Sequence, residues 1–188
     1  MKIAITGGIG SGKSYVCDAL RRRGIKVYDC DSAAKRLMKS SPALIHDLKQ
    51  LIGDDAYNED GRPCQRVIAK FLLESEANKQ AINDIVHPAV ARDFEQSGCD
   101  WLESAILFDA DFHKRTHFDY VVCVSAPLDV RIERIMKRDN IAASEAREWI
   151  KKQMPQEEVA QRSDFVIEND GKANIEQQIN KIISKLTD

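Results

Sequence analysis

The residues near the amino terminus carry the clearest chemical signal in the sequence. Gly7–Ser14 read Gly-Gly-Ile-Gly-Ser-Gly-Lys-Ser, which satisfies the phosphate-binding pattern G-x-x-x-x-G-K-[ST]. Glycines such as Gly8, Gly10 and Gly12 let the backbone turn successive N–H groups toward an anion and approach it closely. The helix predicted after the loop would add its free N–H groups and the positive end of its dipole. We therefore predict a site for the phosphates of a nucleoside triphosphate.

Particular side chains of this loop have roles in that chemistry. Lys13 is expected to reach the β- and γ-phosphates, and the Ser14 hydroxyl is expected to ligate Mg²⁺. Ser11 and Tyr15 are expected to contact ATP, and the position of Tyr15 mainly offers a backbone N–H. The alternative is a glycine-rich turn without a ligand. It is disfavoured because a strand pattern precedes the loop and a helical pattern, Val16–Arg23, follows it.

Two carboxylates stand at the predicted end of the second strand. Asp29 and Asp31 flank Cys30, and a strand end of this kind would place them at the mouth of the phosphate site. One of them could take the proton of an acceptor hydroxyl, as an Asp does in phosphoryl transfer to alcohols. The alternative is a polar strand end in which Asp31 caps a helix that starts at Ser32. The residues alone leave both interpretations open.

Three arginines share one face of the helix predicted after the fourth strand. Arg131, Arg134 and Arg138 follow one another at steps of three and four, and no carboxylate lies three or four positions from any of them. Unpaired guanidinium groups in such a row predict a lid that clamps phosphates. The alternative is a solvated helix face. The polar helical segment Arg138–Gln156 is predicted to be mobile, and the lid is expected to span about residues 131–160.

Short apolar runs alternate with helical patterns and predict the strands that position these residues. The runs are Lys2–Thr6, Ile25–Tyr28, Trp101–Phe108, Tyr120–Val124 and Phe165–Ile167. Such runs are typical of a parallel sheet covered on both faces. Pro127 fits the first position of a helix, and the last helix carries an apolar face of Ile175, Ile179, Ile182 and Leu186 that should pack on the sheet. The predicted fold class is α/β, a three-layer P-loop NTPase fold with a central parallel sheet.

The stretch from Ala33 to Ser97 breaks this alternation. Its patterns are helical, and they are interrupted by Ser40-Ser41-Pro42 and by the polar loop Gly53–Pro63. We interpret it as a helical insertion between the second and third strands that would cover one side of the site. The predicted organisation is a single unit over residues 1–188, with a core of about 1–32 and 98–188 and an insertion of about 33–97.

Composition argues against several classes of protein. The chain has 188 residues, of which 43% are hydrophobic and 31% charged, with a formal net charge of −2. It lacks the basic surplus of a nucleic-acid binder. We expect a cytoplasmic protein without a membrane partner, because no apolar run approaches eighteen residues and no signal or transit pattern is visible. The five cysteines are scattered without a CxxC pair, so we expect buried thiols and neither disulfides nor a zinc site.

Together these segments resemble the dephospho-CoA kinases, which are P-loop enzymes of the nucleoside-monophosphate-kinase type. The matching segments are Thr6–Ser14, Asp29–Asp31 with Ala33–Arg36, Ile85–Pro88, Arg134–Asn140 and Arg162–Asn169. They cover the chain nearly end to end and are more specific than the P-loop alone. The resemblance implies a transferase that moves the ATP γ-phosphoryl group to the ribose 3′-hydroxyl of dephospho-CoA. This is the last step of coenzyme A biosynthesis.

The resemblance also implies that the helical insertion binds the acceptor substrate, and it implies roles for individual residues. Asp31 would be the general base, and Lys13 and Arg138 would be the cations that stabilise the transition state. Contacts to ATP are implied for Arg134, Arg138 and Asn169, and contacts to the acceptor substrate for Asp31, Arg66, His87 and Asp109. Mg²⁺ would accompany ATP, and the enzyme would be a monomer or a weak homo-oligomer.

Three positions depart from the family pattern. Tyr15 stands where a small hydroxyl residue is common, and Asp109 stands where Glu is frequent. Cys64-Gln65 occupies the place of a frequent Asp-Arg pair, with Arg66 just beyond. The last two departures weaken the inferred substrate contacts and leave the chemistry unaffected. For His87-Pro88, an ordinary helix boundary is the alternative interpretation.

Other functions are compatible with part of this pattern. A kinase of the same build could use a different small acceptor, such as a nucleoside monophosphate. A nucleotide-gated binding protein would hydrolyse ATP slowly and phosphorylate nothing. That class needs switch loops and a partner surface, whereas this sequence offers Asp31 and an arginine-rich lid. A structural module without a ligand is disfavoured by the P-loop itself.

Overall fold

A parallel sheet carries the phosphate-binding segment. In the computed structural model, which describes residues 1–187, the sheet has five strands: β1 Ile3–Thr6, β2 Val27–Asp29, β3 Trp101–Glu103, β4 Tyr120–Ser125 and β5 Phe165–Glu168. Their order is β2-β3-β1-β4-β5. The pairs β1–β3, β1–β4 and β4–β5 are parallel, with Ile3 opposite both Trp101 and Tyr120. The central strand β1 is buried throughout, which explains why three of its four residues are apolar.

The helices divide between two compact units of the chain. The first unit comprises Met1–Tyr28 and the chain from Cys99 onward, and the second is Asp29–Gly98. The first contains α1 Lys13–Arg22, α6 Leu128–Asp139, α7 Ala143–Lys151, α8 Gln156–Gln161 and α9 Ile175–Thr187. The second contains α2 Cys30–Ser40, α3 Pro42–Ile52, α4 Gln65–Glu74 and α5 Glu76–Gln96. The α/β fold with a parallel sheet and flanking helices confirms the predicted fold class.

Two helices pack together on the strands to form the main core of the first unit. Val16 and Leu20 of α1 and Ile179 and Ile182 of α9 join apolar side chains of the strands in one buried cluster. Residues three or four positions apart lie on the same helix face, so each helix buries one stripe. The apolar face predicted for the last helix is confirmed.

The helical unit Asp29–Gly98 has a core of its own. The long helix α5 packs against α2, α3 and α4 and buries Phe94 completely. Ser41 caps α3 by accepting the Leu44 N–H, and Pro42 occupies the first turn. Pro88 lies inside α5, so the alternative that His87-Pro88 marks a helix boundary is wrong.

Some predicted boundaries are wrong. The third strand ends at Glu103, and the chain then turns through the remainder of the predicted run, Ser104–Phe108. Leu107 and Phe108 are buried in that turn, and burial alone gives an apolar run the same appearance in a turn as in a strand. Pro127 directly precedes α6 and is not its first residue.

The cysteines behave as small apolar residues. None of the five forms a disulfide; Cys17, Cys30 and Cys123 are buried, whereas Cys64 and Cys99 are half-buried. Burial raises the pKa of Cys17 to about 12 and that of Cys123 to about 11. These two thiols therefore stay protonated near neutral pH and are poor nucleophiles.

The helix after β2 is capped by a different aspartate from the one predicted. Helix α2 begins at Cys30, and Asp29 accepts the Ser32 N–H at 3.0 Å and the Ser32 hydroxyl at 2.8 Å. The interpretation of Asp31 as the cap is therefore wrong. Asp31 lies exposed in the first turn of α2, and its carboxylate is not the one that caps the helix.

Replacing Asp29 with Ala should therefore destabilise the protein. We expect the free energy of unfolding to fall by about 1 kcal/mol, because the Ser32 N–H loses its acceptor. Urea unfolding followed by circular dichroism measures this change. Asp29→Asn is the matched control, because Asn caps helices about as well as Asp. An equal loss in both variants would contradict the capping role.

Candidate active site

The predicted phosphate loop connects β1 to α1. Gly10 and Gly12 have φ angles of 79° and 88°, in the region that favours glycine. Gly12 caps α1 and Lys13 is its first residue, so the N–H groups of the first helical turn adjoin the loop. Ser11 is fully buried, Lys13 is only 8% exposed, and Ser14 is exposed. The loop thus has the strand–glycine turn–helix context that its sequence motif requires.

Arg131 of α6 lies directly behind the loop. Its Nε donates to the Ile9 carbonyl at 2.9 Å, and the residue is only 4% exposed. A Cβ added at Gly8 would overlap the Arg131 guanidinium, which shows how closely the two segments pack. Burial lowers the pKa of the Arg131 guanidinium, and the Glu157 carboxylate opposes that shift. The carbonyl acceptor offsets part of the cost of burying this charge.

Arg134 and Asn169 bind the next part of the loop. Arg134 donates to the carbonyls of Gly10 at 3.3 Å and Ser11 at 3.2 Å. Asn169 follows β5, and its Nδ2 donates to the Ser11 carbonyl at 2.9 Å while its Oδ1 accepts from Arg134 at 3.1 Å. The guanidinium groups of Arg131 and Arg134 are therefore bonded to main-chain carbonyls and to amide side chains, which charge spacing in a sequence does not reveal. The prediction that Arg138 lacks a carboxylate partner is wrong, because it forms an ion pair with Asp139.

These contacts fix which way the peptide groups of the loop face. In a planar trans peptide, the C=O and the N–H point in opposite directions. Since the Ile9 and Ser11 carbonyls point toward Arg131 and Asn169, the N–H groups of Gly10 and Gly12 point away from those side chains. N–H groups turned to one side in this way form an anion-binding concavity.

Four of the predicted ATP-binding residues meet around one pocket. Gly12, Tyr15, Arg134 and Asn169 line a surface pocket of about 390 Å³, together with Gly171, Ala173 and Ile175. The Tyr15 residue is 53% exposed. The pocket begins at the phosphate loop and offers an aromatic ring, a guanidinium and an amide. These groups could bind the nucleoside part of a nucleotide.

Arg138 differs from the other two arginines of its helix. Its guanidinium bonds the adjacent Asp139 carboxylate, with a shortest distance of 2.7 Å, and its side chain is 60% exposed. Asn140 then adopts a left-handed conformation that ends α6 before α7 begins. The contact of Arg138 with phosphate stays a prediction, because Asp139 holds the guanidinium here.

The predicted acceptor-binding residues lie on several elements. Asp109 accepts a hydrogen bond from the Met154 N–H at 2.6 Å, so one of its carboxylate oxygens is bonded to the turn between α7 and α8. In the helical unit, Arg66 is exposed near the start of α4, and His87 is partly buried within α5. Their substrate contacts, like that of Asp31, stay predictions.

Ser14 can serve as a metal ligand. Its exposed hydroxyl lies in the first turn of α1, and hard oxygen donors suit Mg²⁺. Within residues 1–187 no group of three or more His, Cys, Asp or Glu residues could hold a metal ion. Mg²⁺ commonly uses few protein ligands together with substrate phosphates, so a single hydroxyl beside the loop is compatible with that mode.

Comparison with known proteins decides the family. A model of the dephospho-CoA kinase family matches residues 1–175. The chain belongs to the dephospho-CoA kinase family. This confirms the resemblance on which the residue roles were based.

Members of the family match the chain at nearly full length. The chain is 35% identical to a dephospho-CoA kinase of Bacteroides fragilis, covering 99% of this chain and 93% of that one. It is 39% identical to a dephospho-CoA kinase of Porphyromonas gingivalis, covering 84% and 80% of the two chains. A crystal structure from Thermus thermophilus has a TM-score of 0.83 at 30% identity, over 99% of this chain and 97% of that one. The match to an Aquifex aeolicus shikimate kinase, with a TM-score of 0.56 and 16% identity over 100% and 96% of the chains, supports the fold alone.

Gln153 also bonds the loop, although it was not among the predicted site residues. Gln153 accepts the Ile9 N–H through its Oε1 at 2.7 Å. The two residues are separated by most of the chain, and Gln153 belongs to no pattern that the residues displayed. A contact of this kind becomes visible only when the chain is folded.

Replacing Gly12 with Ala should weaken ATP binding. A Cβ at this position would overlap Asn169 Nδ2, in addition to straining a left-handed backbone. Losing the Asn169 bonds to Ser11 and Arg134 at roughly 1 kcal/mol each should lower ATP affinity by about tenfold or more. Isothermal titration calorimetry measures this affinity.

Gly24→Ala is the matched control for this change. Gly24 has a similar φ of 80°, and nothing lies within 4 Å of an added Cβ. This variant should share the backbone strain of about 1–2 kcal/mol and keep its ATP affinity. Equal affinity losses in the two variants would show that strain is responsible and that the Asn169 contact is not.

Proposed function

We propose that the protein phosphorylates the ribose 3′-hydroxyl of dephospho-CoA with ATP, giving CoA and ADP. The observation that carries this proposal is the phosphate loop, whose carbonyl edge is bound by Arg131, Arg134 and Asn169 in a chain of the dephospho-CoA kinase family. Because the loop already has this orientation before the substrate binds, the free energy needed to rearrange it during the reaction is small.

The phosphates would be held by the loop and the start of α1. The N–H groups on the side opposite the bound carbonyls would cradle them, and Lys13 would follow the γ-phosphoryl group during transfer. Ser14 would be the protein ligand of Mg²⁺, and the ion would supply charge that neutralises the phosphates. The pocket lined by Tyr15 and Arg134 would receive the nucleoside.

Asp31 would act as the general base toward the acceptor. A ribose hydroxyl has a pKa far above neutrality, so a carboxylate cannot hold the alkoxide in advance. The carboxylate can orient the hydroxyl and take its proton as the new bond to phosphorus forms. Two observations support this assignment. Asp31 is exposed, and the helix cap of α2 is provided by Asp29 and not by Asp31. Arg66, His87 and Asp109 would contact the acceptor substrate.

We further propose a cytoplasmic monomer or weak homo-oligomer that binds neither nucleic acid nor membrane. Cysteines that form no disulfide suit a reducing compartment, and a net charge of −2 gives no general attraction to nucleic acid. Among residues 1–187, none of the helices combines the length and the apolar character needed to span a membrane.

A panel of acceptors tests the proposed function. ADP release is coupled to a spectrophotometric assay, with dephospho-CoA, adenylate, adenosine and no acceptor compared at equal concentration. Turnover should depend on dephospho-CoA, and the product should carry its new phosphate on the 3′-oxygen by phosphorus NMR. Faster turnover with adenylate would favour a nucleoside-monophosphate kinase. ATP binding without any phosphorylated product would favour a nucleotide-gated binding protein.

Replacing Asp31 with Asn should lower turnover on dephospho-CoA by at least about a hundredfold, because general-base assistance contributes roughly 10²–10⁴ in rate. ATP affinity and thermal stability should stay near those of the unmodified enzyme. Asp29→Asn is the matched control and should cost less, because Asn still caps α2. If Asp29→Asn is the more damaging change, the base is the other aspartate.

Replacing Arg138 with Ala should lower kcat more than ATP affinity, because a cation that acts in the transition state contributes little to ground-state binding. Asp139→Asn is the companion variant. It removes the carboxylate that holds Arg138 and leaves the guanidinium in place. Steady-state kinetics and calorimetry together separate the two effects. If Arg138→Ala changes neither quantity, this arginine belongs to a solvated helix face.

A further inference from the structure

The turn between α7 and α8, residues 152–155, bonds loops of the core at several points. Gln153 accepts the Ile9 N–H at 2.7 Å, and the Met154 N–H donates to Asp109 at 2.6 Å. Directly after the turn, Gln156 bonds both the N–H and the carbonyl of Ala126, at 3.2 and 3.0 Å. The turn is therefore fixed on the loops that follow β1, β3 and β4.

Gln153 and Arg131 together hold Ile9 from both sides. Gln153 accepts a hydrogen bond from the Ile9 N–H, which belongs to the peptide group between Gly8 and Ile9. Arg131 donates a hydrogen bond to the Ile9 carbonyl, which belongs to the next peptide group. Each peptide group is rigid and planar, so anchoring one end orients the other. Two successive peptide groups of the phosphate loop are thereby fixed by side chains from outside it.

The packing leaves the loop little room to rotate while both contacts hold. A Cβ added at Gly8 would lie 3.2 Å from Gln153 Oε1 and would overlap Arg131. The glycine thus lets the two side chains approach the backbone. If the Gln153 contact were lost, the peptide group between Gly8 and Ile9 would keep only the bond that its Gly8 carbonyl accepts from the Ser11 N–H at 3.1 Å. The N–H groups beyond it would then be held less firmly in one direction.

We infer that Gln153 is a positioning residue for the phosphate loop and acts on bound phosphate through the Ile9 backbone. This inference rests on the proposed function, since it concerns the same ATP site. The turn between α7 and α8 thereby contributes to nucleotide binding, although it lies outside the phosphate motif and outside the arginine row of α6. Gln153 is not a catalytic residue, because its contact is with the protein backbone.

A phosphate-dependent loss of affinity distinguishes this role from a general structural one. Gln153→Met keeps the length and apolar stem of the side chain and removes the acceptor for the Ile9 N–H. Loss of one hydrogen bond that orients the loop should weaken ATP and ADP binding by about fivefold. Adenosine affinity should stay unchanged, because adenosine has no phosphate for the loop to bind. Calorimetry with the three ligands measures these affinities.

Gln178→Met is the matched control. The Gln178 amide bonds the N–H and carbonyl of Glu168 at 2.9 Å each, so it also links a helix to the core through a backbone contact. Gln178 does not line the pocket at the phosphate loop, and the peptide group that joins Glu168 to Asn169 is also held by the Asn169 N–H, which donates to the Ser125 carbonyl at 2.7 Å. ATP affinity should therefore survive this substitution even if the protein melts at a lower temperature.

A second measurement follows the Ile9 amide without any ligand. In protein labelled with ¹⁵N-isoleucine, the Ile9 amide proton should move upfield in Gln153→Met and stay in place in Gln178→Met. An unchanged Ile9 resonance would overturn the inference, as would equal losses for ATP and adenosine. If the unmodified protein fails to bind ATP, the proposed function itself fails. That result is separate from the NMR outcome, which needs no nucleotide.

Discussion

A loop that binds phosphate through its N–H groups must first satisfy the carbonyl oxygens on the opposite edge of the same peptides. Here the carbonyls of residues 9–11 are bound by Arg131, Arg134 and Asn169. Cationic and amide donors on this edge leave the N–H edge facing the other way. The direction of the loop is thus set by contacts behind it, before any anion is present.

The strand order brings these donors to the loop. The phosphate loop follows β1, α6 comes shortly after β4, and Asn169 directly follows β5. In the order β1-β4-β5, these three strands are neighbours and parallel, so their carboxyl ends lie at one edge of the sheet. Segments separated by more than a hundred residues therefore supply one site. The buried stripes of α1 and α9 hold the sheet that fixes this geometry.

The three arginines of α6 differ in burial and in their bonding partners. Arg131 is buried and Arg134 partly buried against the loop, while Arg138, one turn further on, is exposed and paired with Asp139. A guanidinium already bonded to main-chain carbonyls contributes preorganisation, because its orientation needs no adjustment during the reaction. The exposed arginine can exchange its carboxylate partner for phosphate, as the proposed transition-state role requires. One helix can thus support the loop at one end and act on substrate at the other.

The sequence predicted the phosphate loop, the five-stranded α/β fold and the family, because each depends on local spacing or on a motif of adjacent residues. It did not determine the end of the third strand, since Leu107 and Phe108 are buried in a turn. Only the tertiary structure decided that Asp29 caps α2, that Arg131 bonds the Ile9 carbonyl and that Gln153 bonds the Ile9 N–H. The last two contacts join residues more than a hundred positions apart through backbone atoms, which every residue carries and no sequence pattern can mark.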